Sequence, residues 1–143
     1  SETLMSLPLE EVMTSELSAG TEVSRLTLGP VELVLVPGEL YPELWLEKDD
    51  GGTYIEQPEN ADFPDAAAET VLQAVMPKAK IRAMLNNAND ALGYILPKRQ
   101  WDLSPPFAYD PDGQYGEDNS LGPDAGIALT EAVAELYRFL AVD

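Results

Sequence analysis

Two β-rich runs, TEVSRLTL at 21–28 and VELVLV at 31–36, are separated only by Gly29 and Pro30. So short a gap predicts an antiparallel hairpin, and the hairpin constrains whatever packs around it. The second run carries apolar side chains at both parities, Leu33 and Leu35 opposite Val34 and Val36. That pattern predicts a strand inside a sheet covered on both sides. The strand then runs into Pro37-Gly38 and presents a carboxylate, Glu39, at the kink. A strand anchored in a core holds the residue at its tip more firmly than a free loop does, which makes Glu39 a candidate functional group. Pro37 fixes one torsion and Gly38 permits backbone geometry that other residues resist, so together they can aim Glu39 inward. The alternative is a type II turn that leaves Glu39 exposed.

Around this hairpin the chain alternates between helical and extended patterns. Residues 1–20 have no clean period and are expected to form a loop or short helix ending at Gly20. Residues 47–63 are a polar excursion rich in turn formers. A helix is predicted over 64–76, with Pro64 at its first position, Asp65 in its first turn, a stripe of Ala68, Val71, Leu72 and Val75, and Pro77 as its stop. KAKIRAML at 78–85 alternates, predicting a strand with Lys78, Lys80 and Arg82 on one face. A short strand is expected at Tyr94-Ile95-Leu96, followed by irregular chain over 98–126. A C-terminal helix is predicted behind Pro123 and Asp124, with Leu129, Val133, Leu136, Tyr137 and Leu140 on one face. These elements define an α/β class: a mixed sheet with a β-hairpin and helices covering it, within one domain over 1–143.

Charge and missing residue types narrow the function. With 8 Lys and Arg against 26 Asp and Glu, the formal charge is −18, which disfavours nucleic acid and anionic lipid as partners. The same balance suits a secreted or salt-adapted protein, cation binding or high solubility. There is no cysteine, hence no disulfide, thiolate ligand or thiol nucleophile, and there is no histidine. A self-contained Ser-His-Asp triad or His-based zinc site cannot be built from these residues. No apolar run approaches the ~20 residues that span a bilayer, and the opening SETLMSLPLEEV lacks the basic region of a signal peptide. A targeting segment is therefore expected to have been removed or to lie outside this polypeptide.

Two further stretches can carry chemistry. In ANDALGYILP, 88–97, Asn89-Asp90 favours a turn, Gly93 leaves room beside the backbone, and Tyr94 opens an apolar run. Tyr94 can be a core residue with a satisfied hydroxyl, a donor to a developing oxyanion, or a phenolate metal ligand. In YDPDGQYGEDNSLGPDAG, 109–126, Asp110, Asp112 and the later Glu117 loosely match an oxygen-rich calcium loop without full EF-hand spacing; a plain polar loop is the competing reading. Five of the eight basic residues, Lys78, Lys80, Arg82, Lys98 and Arg99, flank the Tyr94 segment, where they are expected to be solvated and to pair with nearby acids.

Together these stretches resemble the neutral ceramidase family, zinc amidases that split ceramide into sphingosine and fatty acid. VPGE at 36–39 is similar to the family's strand-end Pro-Gly-Glu, NANDALGYI at 87–95 to its Asn-containing strand and turn ending in tyrosine, and YGEDNSLGP at 115–123 to its Tyr-Glu-x-x-Ser element followed by Gly-Pro, with Gly116 inserted. The order is the family's, coverage runs from about residue 21 to the end, and a bacterial ceramidase-like branch looks closest.

The resemblance implies that Glu39 and Tyr94 are zinc ligands and that Tyr115 and Ser120 contact an N-acyl lipid or amide substrate. The family draws its remaining ligands from histidines earlier in its chain, and this sequence supplies none. The resemblance therefore implies the C-terminal portion of a larger layered catalytic domain, completed by an upstream segment or second chain carrying the histidines. It leans towards a secreted or periplasmic location. Were Ser1 exposed by cleavage, it would be a further candidate nucleophile, as in self-processing amidases. A reading from a different class is a non-catalytic acidic binding module on the same scaffold, with calcium as its ion.

Overall fold

Twisted strands with one greasy face must bury that face, and here a single helix does most of the covering. The computed structural model describes residues 2–9 and 17–140. Its main sheet has four strands in the order β1-β2-β3-β5: β1 (Glu2–Leu9), β2 (Leu17–Leu28), β3 (Val31–Leu35) and β5 (Ile81–Leu85). The first three are antiparallel neighbours, and β5 joins β3 in parallel. The predicted hairpin is present with Leu28 opposite Val31. Gly29 takes φ +57°, the left-handed geometry that such a turn needs.

Along β3 the parity places Glu32, Val34 and Val36 on the buried face, with Val31, Leu33 and Leu35 outward. A charge therefore sits inside. Glu32 is 3% exposed, its Oε1 lies 2.8 Å from Arg25 Nε, and its Oε2 accepts from the Thr27 hydroxyl at 2.7 Å. Thr27 and Glu32 are cross-strand partners, so the register itself builds this ion pair. Burial works against ionisation of Glu32, but the Thr27 and Arg25 hydrogen bonds and the Arg25 charge outweigh it and hold the carboxyl below its usual range.

The outward parity forms three cross-strand rows: Leu28–Val31–Ile81, Leu26–Leu33–Ala83 and Ser24–Leu35–Leu85. The expectation of cover on both sides is met on one side only. Leu26, Leu28, Ile81 and Leu85 are 45%, 55%, 48% and 49% exposed, because no described element packs over them.

The covered side is sealed by α4 (Ala125–Leu140), which lies against β1 and β2. Its predicted stripe is correct for Leu129, Val133, Leu136 and Tyr137, all buried; the side chain of Leu140 lies outside the described residues. The core adds Val23, Val34, Val36, Leu44, Leu72 and Ile95. Between β3 and β5 the chain crosses over through α1 (Pro42–Trp45) and α2 (Leu72–Val75), both short.

Several expectations are corrected. The helix predicted over 64–76 is reduced to the four residues of α2. The preceding segment turns at 63–66 and then runs irregularly to 71, with polar groups claimed by residues 98–99: Glu69 Oε1 accepts from Lys98 N at 2.8 Å, and the Ala66 carbonyl accepts from Arg99 Nε at 2.7 Å. In place of a loop or short helix over 1–20, residues 2–9 form β1 and residues 17–20 begin β2; residue 1 and residues 10–16 lie outside the described residues. β5 starts at Ile81, so Lys78 and Lys80 precede it and only Arg82 is a strand residue, donating inward to the Gln73 carbonyl. Of the five basic residues near Tyr94, Lys98 alone makes an ion pair with an acid among the described residues, at 2.6 Å from Asp124.

Candidate functional site

Beyond Leu35 the strand does not stop at Pro37; it folds across a crease. Val36 N donates to the Leu85 carbonyl at 3.0 Å and Leu92 N to the Pro37 carbonyl at 2.9 Å, which carries the β3–β5 pairing over the kink. On the far side, β4 (Glu39–Leu40) and β6 (Tyr94–Ile95) form a two-stranded parallel ribbon. Its register sets Glu39 beside Tyr94 and Leu40 beside Ile95. Leu40 and Ile95 are buried and anchor the ribbon, so the alternate parity, Glu39 and Tyr94, faces the other way.

Two glycines make this close approach possible, for different reasons. Gly93 has φ +85°, and a Cβ on it would overlap the Asn119 carbonyl oxygen. Gly38 has no left-handed torsion; a Cβ there would come within 2.7 Å of the Gly93 carbonyl oxygen. Steric closeness, and not unusual backbone geometry or a type II turn, explains Gly38. Glu39 N donates to that same Gly93 oxygen at 2.8 Å, and Tyr41 N to the Ile95 carbonyl at 3.0 Å.

The third sequence element arrives on the other edge of β6. Tyr94 N donates to the Asn119 carbonyl at 3.1 Å, and Tyr94 pairs with Ser120 in an isolated parallel bridge. The helical turn α3 (Tyr115–Asp118) brings Tyr115, whose ring meets the Tyr94 ring edge-on at 5.5 Å between centroids. Tyr41 meets the same ring from elsewhere at 6.1 Å. The structure thus brings together all four residues singled out from the sequence, Glu39, Tyr94, Tyr115 and Ser120. The Tyr94 hydroxyl is held above its ordinary range, first by the neighbouring Glu39 carboxylate, which favours the protonated phenol as an acceptor, then by desolvation and the Glu39 charge.

Residues missed from the sequence complete the surroundings. Asn87 Nδ2 lies 3.4 Å from Glu39 Oε1, with Asn87 at φ +52° in the turn after β5. The run NNAND was a usable signal, since Asn tolerates left-handed torsions. Tyr41 had none, because only the crease turns it towards Tyr94.

Behind Tyr41 opens a cleft of about 220 Å³ lined by Glu43, Asp102, Tyr109 and Glu117 among others. Glu117 is pushed up chiefly by burial, and Tyr109 to about 12, again by burial first. Asp102 is buried and accepts from Ala108 N and Tyr109 N at 2.9 Å, while Glu43 Oε2 is buried with no hydrogen-bond partner among the described residues. Asp110 and Asp112, named for calcium, share a turn in which Asp110 Oδ1 accepts from Asp112 N at 2.9 Å; Glu117 belongs to the cleft.

Among the described residues, no group of three or more His, Cys, Asp or Glu side chains is arranged to hold a metal ion. Two oxygen donors, Glu39 and Tyr94, converge, and that donor set fits part of a zinc shell, which also wants nitrogen ligands. Compared with known proteins, the chain matches no family model, no curated protein and no solved structure.

Proposed function

We propose that this chain supplies the oxygen-ligand half of a zinc-dependent amidohydrolase site similar to that of neutral ceramidases. Histidines from an upstream segment or a second polypeptide would complete it. The observation that carries the reading is the parallel register that sets Glu39 against Tyr94, on a ribbon held by two close-packed glycines. Zinc bound there would contribute Lewis acidity, lowering the pKa of its water and polarising an amide carbonyl. Glu39 binds through its carboxylate, which the Asn87 amide orients, and Tyr94 adds its phenol oxygen. Tyr115, 67% exposed, offers an aromatic surface to the N-acyl substrate, with Ser120 beside Tyr94 as a hydroxyl contact.

The test uses the protein with its histidine-bearing partner retained. Glu39→Ala is expected to remove bound zinc and amide hydrolysis while leaving the melting temperature of the chain nearly unchanged, because Glu39 lies outside the core. A variant with full zinc occupancy and activity refutes the assignment.

The acid-lined cleft favours one other reading, the non-catalytic acidic binding module. Its Glu43 oxygen has no hydrogen-bond partner among the described residues and shares a wall with Asp102 and Glu117, so the negative field of the cleft attracts cations, calcium included, although the three carboxyls are not grouped as a built metal site. Calorimetric titration with calcium separates the readings: the module gives heat that Glu43→Gln abolishes, whereas the amidohydrolase portion responds to zinc through Glu39.

A further inference from the structure

The chain holds two Asp-Gly pairs, Asp50-Gly51 and Asp112-Gly113. This dipeptide has a chemistry of its own. The glycine nitrogen attacks the aspartyl Cγ, the C–OH and N–H bonds break, a C–N bond forms, and water leaves from a five-membered succinimide. Water then reopens the ring at either carbonyl. Opening at the main-chain carbonyl leaves isoaspartate, whose former side-chain methylene now lies in the backbone. No oxidant or reductant takes part, and the water lost in closure is returned on opening. Glycine is the favoured successor because no Cβ shields its nitrogen and its torsions swing widely. Closure still requires the nitrogen and Cγ to leave their resting geometry and meet, so a fold that ties both groups down suppresses it.

The two pairs sit in turns of similar sequence and unlike restraint. Asp50 lies at the tip of a small hairpin, closed by the Glu47–Thr53 bridge and by Lys48 N donating to the Gly52 carbonyl at 2.9 Å. Its carboxylate is held, with Oδ1 accepting from Gly52 N at 2.9 Å. The nucleophile is held too, Gly51 N donating to the Lys48 carbonyl at 2.9 Å. Asp112 has neither restraint. Its backbone N–H donates to Asp110 Oδ1 at 2.9 Å, but its side chain makes no hydrogen bond or ion pair among the described residues. Gly113 N reaches the Asp110 carbonyl only at 3.4 Å, beyond the roughly 2.7–3.2 Å of an ordinary N–H···O bond, while the Gln114 amide takes that carbonyl at 2.6 Å. Both glycines are open, with nothing within 4 Å of an added Cβ, so hydrogen bonding and not crowding separates the two turns.

We infer that Asp112 is a site of spontaneous modification, converting to isoaspartate in the folded protein, while Asp50 is protected despite the same successor. The consequence reaches the cleft behind Tyr41. Conversion lengthens the backbone by one carbon directly before Gly113 and Gln114, two residues that line this cleft, and moves the carboxylate onto Cα at unchanged net charge. None of this depends on an ion at Glu39 and Tyr94.

The experiment ages the folded chain for several weeks in neutral buffer, well below its melting temperature, beside a sample in guanidinium chloride. Peptide mapping with an aspartate-specific endoproteinase, which does not cut before isoaspartate, and electron-transfer fragmentation measure the isomer at both positions. In the folded chain residue 112 should convert about tenfold or more faster than residue 50. Two further hydrogen bonds must break before Asp50 reacts, and each 1.4 kcal/mol is a factor of ten. In denaturant the two rates should converge, because the reacting groups are then the same. Equal rates in the folded chain, a faster Asp50, or a preference for 112 that survives unfolding overturns the inference. Gly113→Ala should slow conversion at 112 several-fold at unchanged melting temperature, since Gly113 has no left-handed torsion and the new Cβ meets nothing but shields the nitrogen. Conversion as fast in this variant as in wild type refutes the ring closure.

Discussion

Gly93→Ala is the sharpest probe of the crease, because a control of nearly equal backbone cost sits on the same chain. Gly29 at φ +57° has nothing within 4 Å of an added Cβ, so Gly29→Ala bears only the left-handed penalty. That penalty is roughly 1–2 kcal/mol, reduced by about 0.4–1 kcal/mol through the stiffer unfolded chain, leaving a net loss near ~1 kcal/mol. Gly93 at φ +85° bears the same penalty, and its Cβ would also overlap the Asn119 carbonyl oxygen. Backbone cannot yield as a side-chain tip can, so over-packing adds roughly 1–3 kcal/mol. Relieving it by shifting Asn119 forfeits the Tyr94 N–H bond at 3.1 Å, about 1 kcal/mol more. The expected destabilisation is therefore about 3–5 kcal/mol, a large part of an ordinary domain's stability. Urea unfolding of both variants, with m-values compared, reads the difference, and amide exchange should quicken at Glu39 and Tyr94 in Gly93→Ala alone. Equal losses within about 0.5 kcal/mol would refute the account of why glycine stands at 93.

Three further outcomes follow from single contacts. Glu32 titrates below its ordinary range in the fold, so it contributes stability above that range, lost as pH falls through the lowered value. Glu32→Gln should flatten this acid limb and lose about 1–3 kcal/mol at neutral pH, a figure discounted because Arg25 is 23% exposed; melting curves across pH read both effects. Glu69 has the opposite sign: burial raises its carboxyl, so ionisation destabilises the fold as pH rises through the raised value. Glu69→Gln should therefore melt higher than wild type at neutral pH, with the gap closing below the ordinary carboxyl range. Thr21→Val removes the hydroxyl donated to Asp90 Oδ2 at 2.5 Å, which ties β2 to the turn before β6; a loss of about 1–2 kcal/mol in urea unfolding is expected.

The parts legible in the sequence were those set by neighbours along the chain. The hairpin followed from two β-rich runs and a two-residue gap, and α4 from a five-residue stripe behind a proline. The convergence of Glu39 with Tyr94 was legible through motif order and not through local pattern. What stayed hidden depends on distant partners. β1 pairs Glu2 with Ser24 and Leu9 with Leu17, a register that periodicity in 1–20 does not reveal, and Pro8 masks it further. The stripe at 68–75 was a true burial pattern, since Val71 and Leu72 are core, but only its second half, Leu72–Val75, is helical, while Ala66 and Glu69 before it hydrogen-bond to residues 99 and 98. Glu32 is the one charged residue in the run VELVLV, and only Arg25 and Thr27 on the neighbouring strand make its burial intelligible.

The parallel pairing of β3 with β5 also dictates an order of assembly. β2 and β3 meet across two residues, whereas β5 must close a loop of about 45 residues before its first contact with β3. The Glu39–Tyr94 ribbon comes later still, waiting for the chain as far as Ser120. The hairpin is thus the early folding unit and the ribbon the late one. Native-state amide exchange should then release the Tyr94 proton well before that of Val34, which would make the Glu39–Tyr94 ribbon a region that opens ahead of the hairpin.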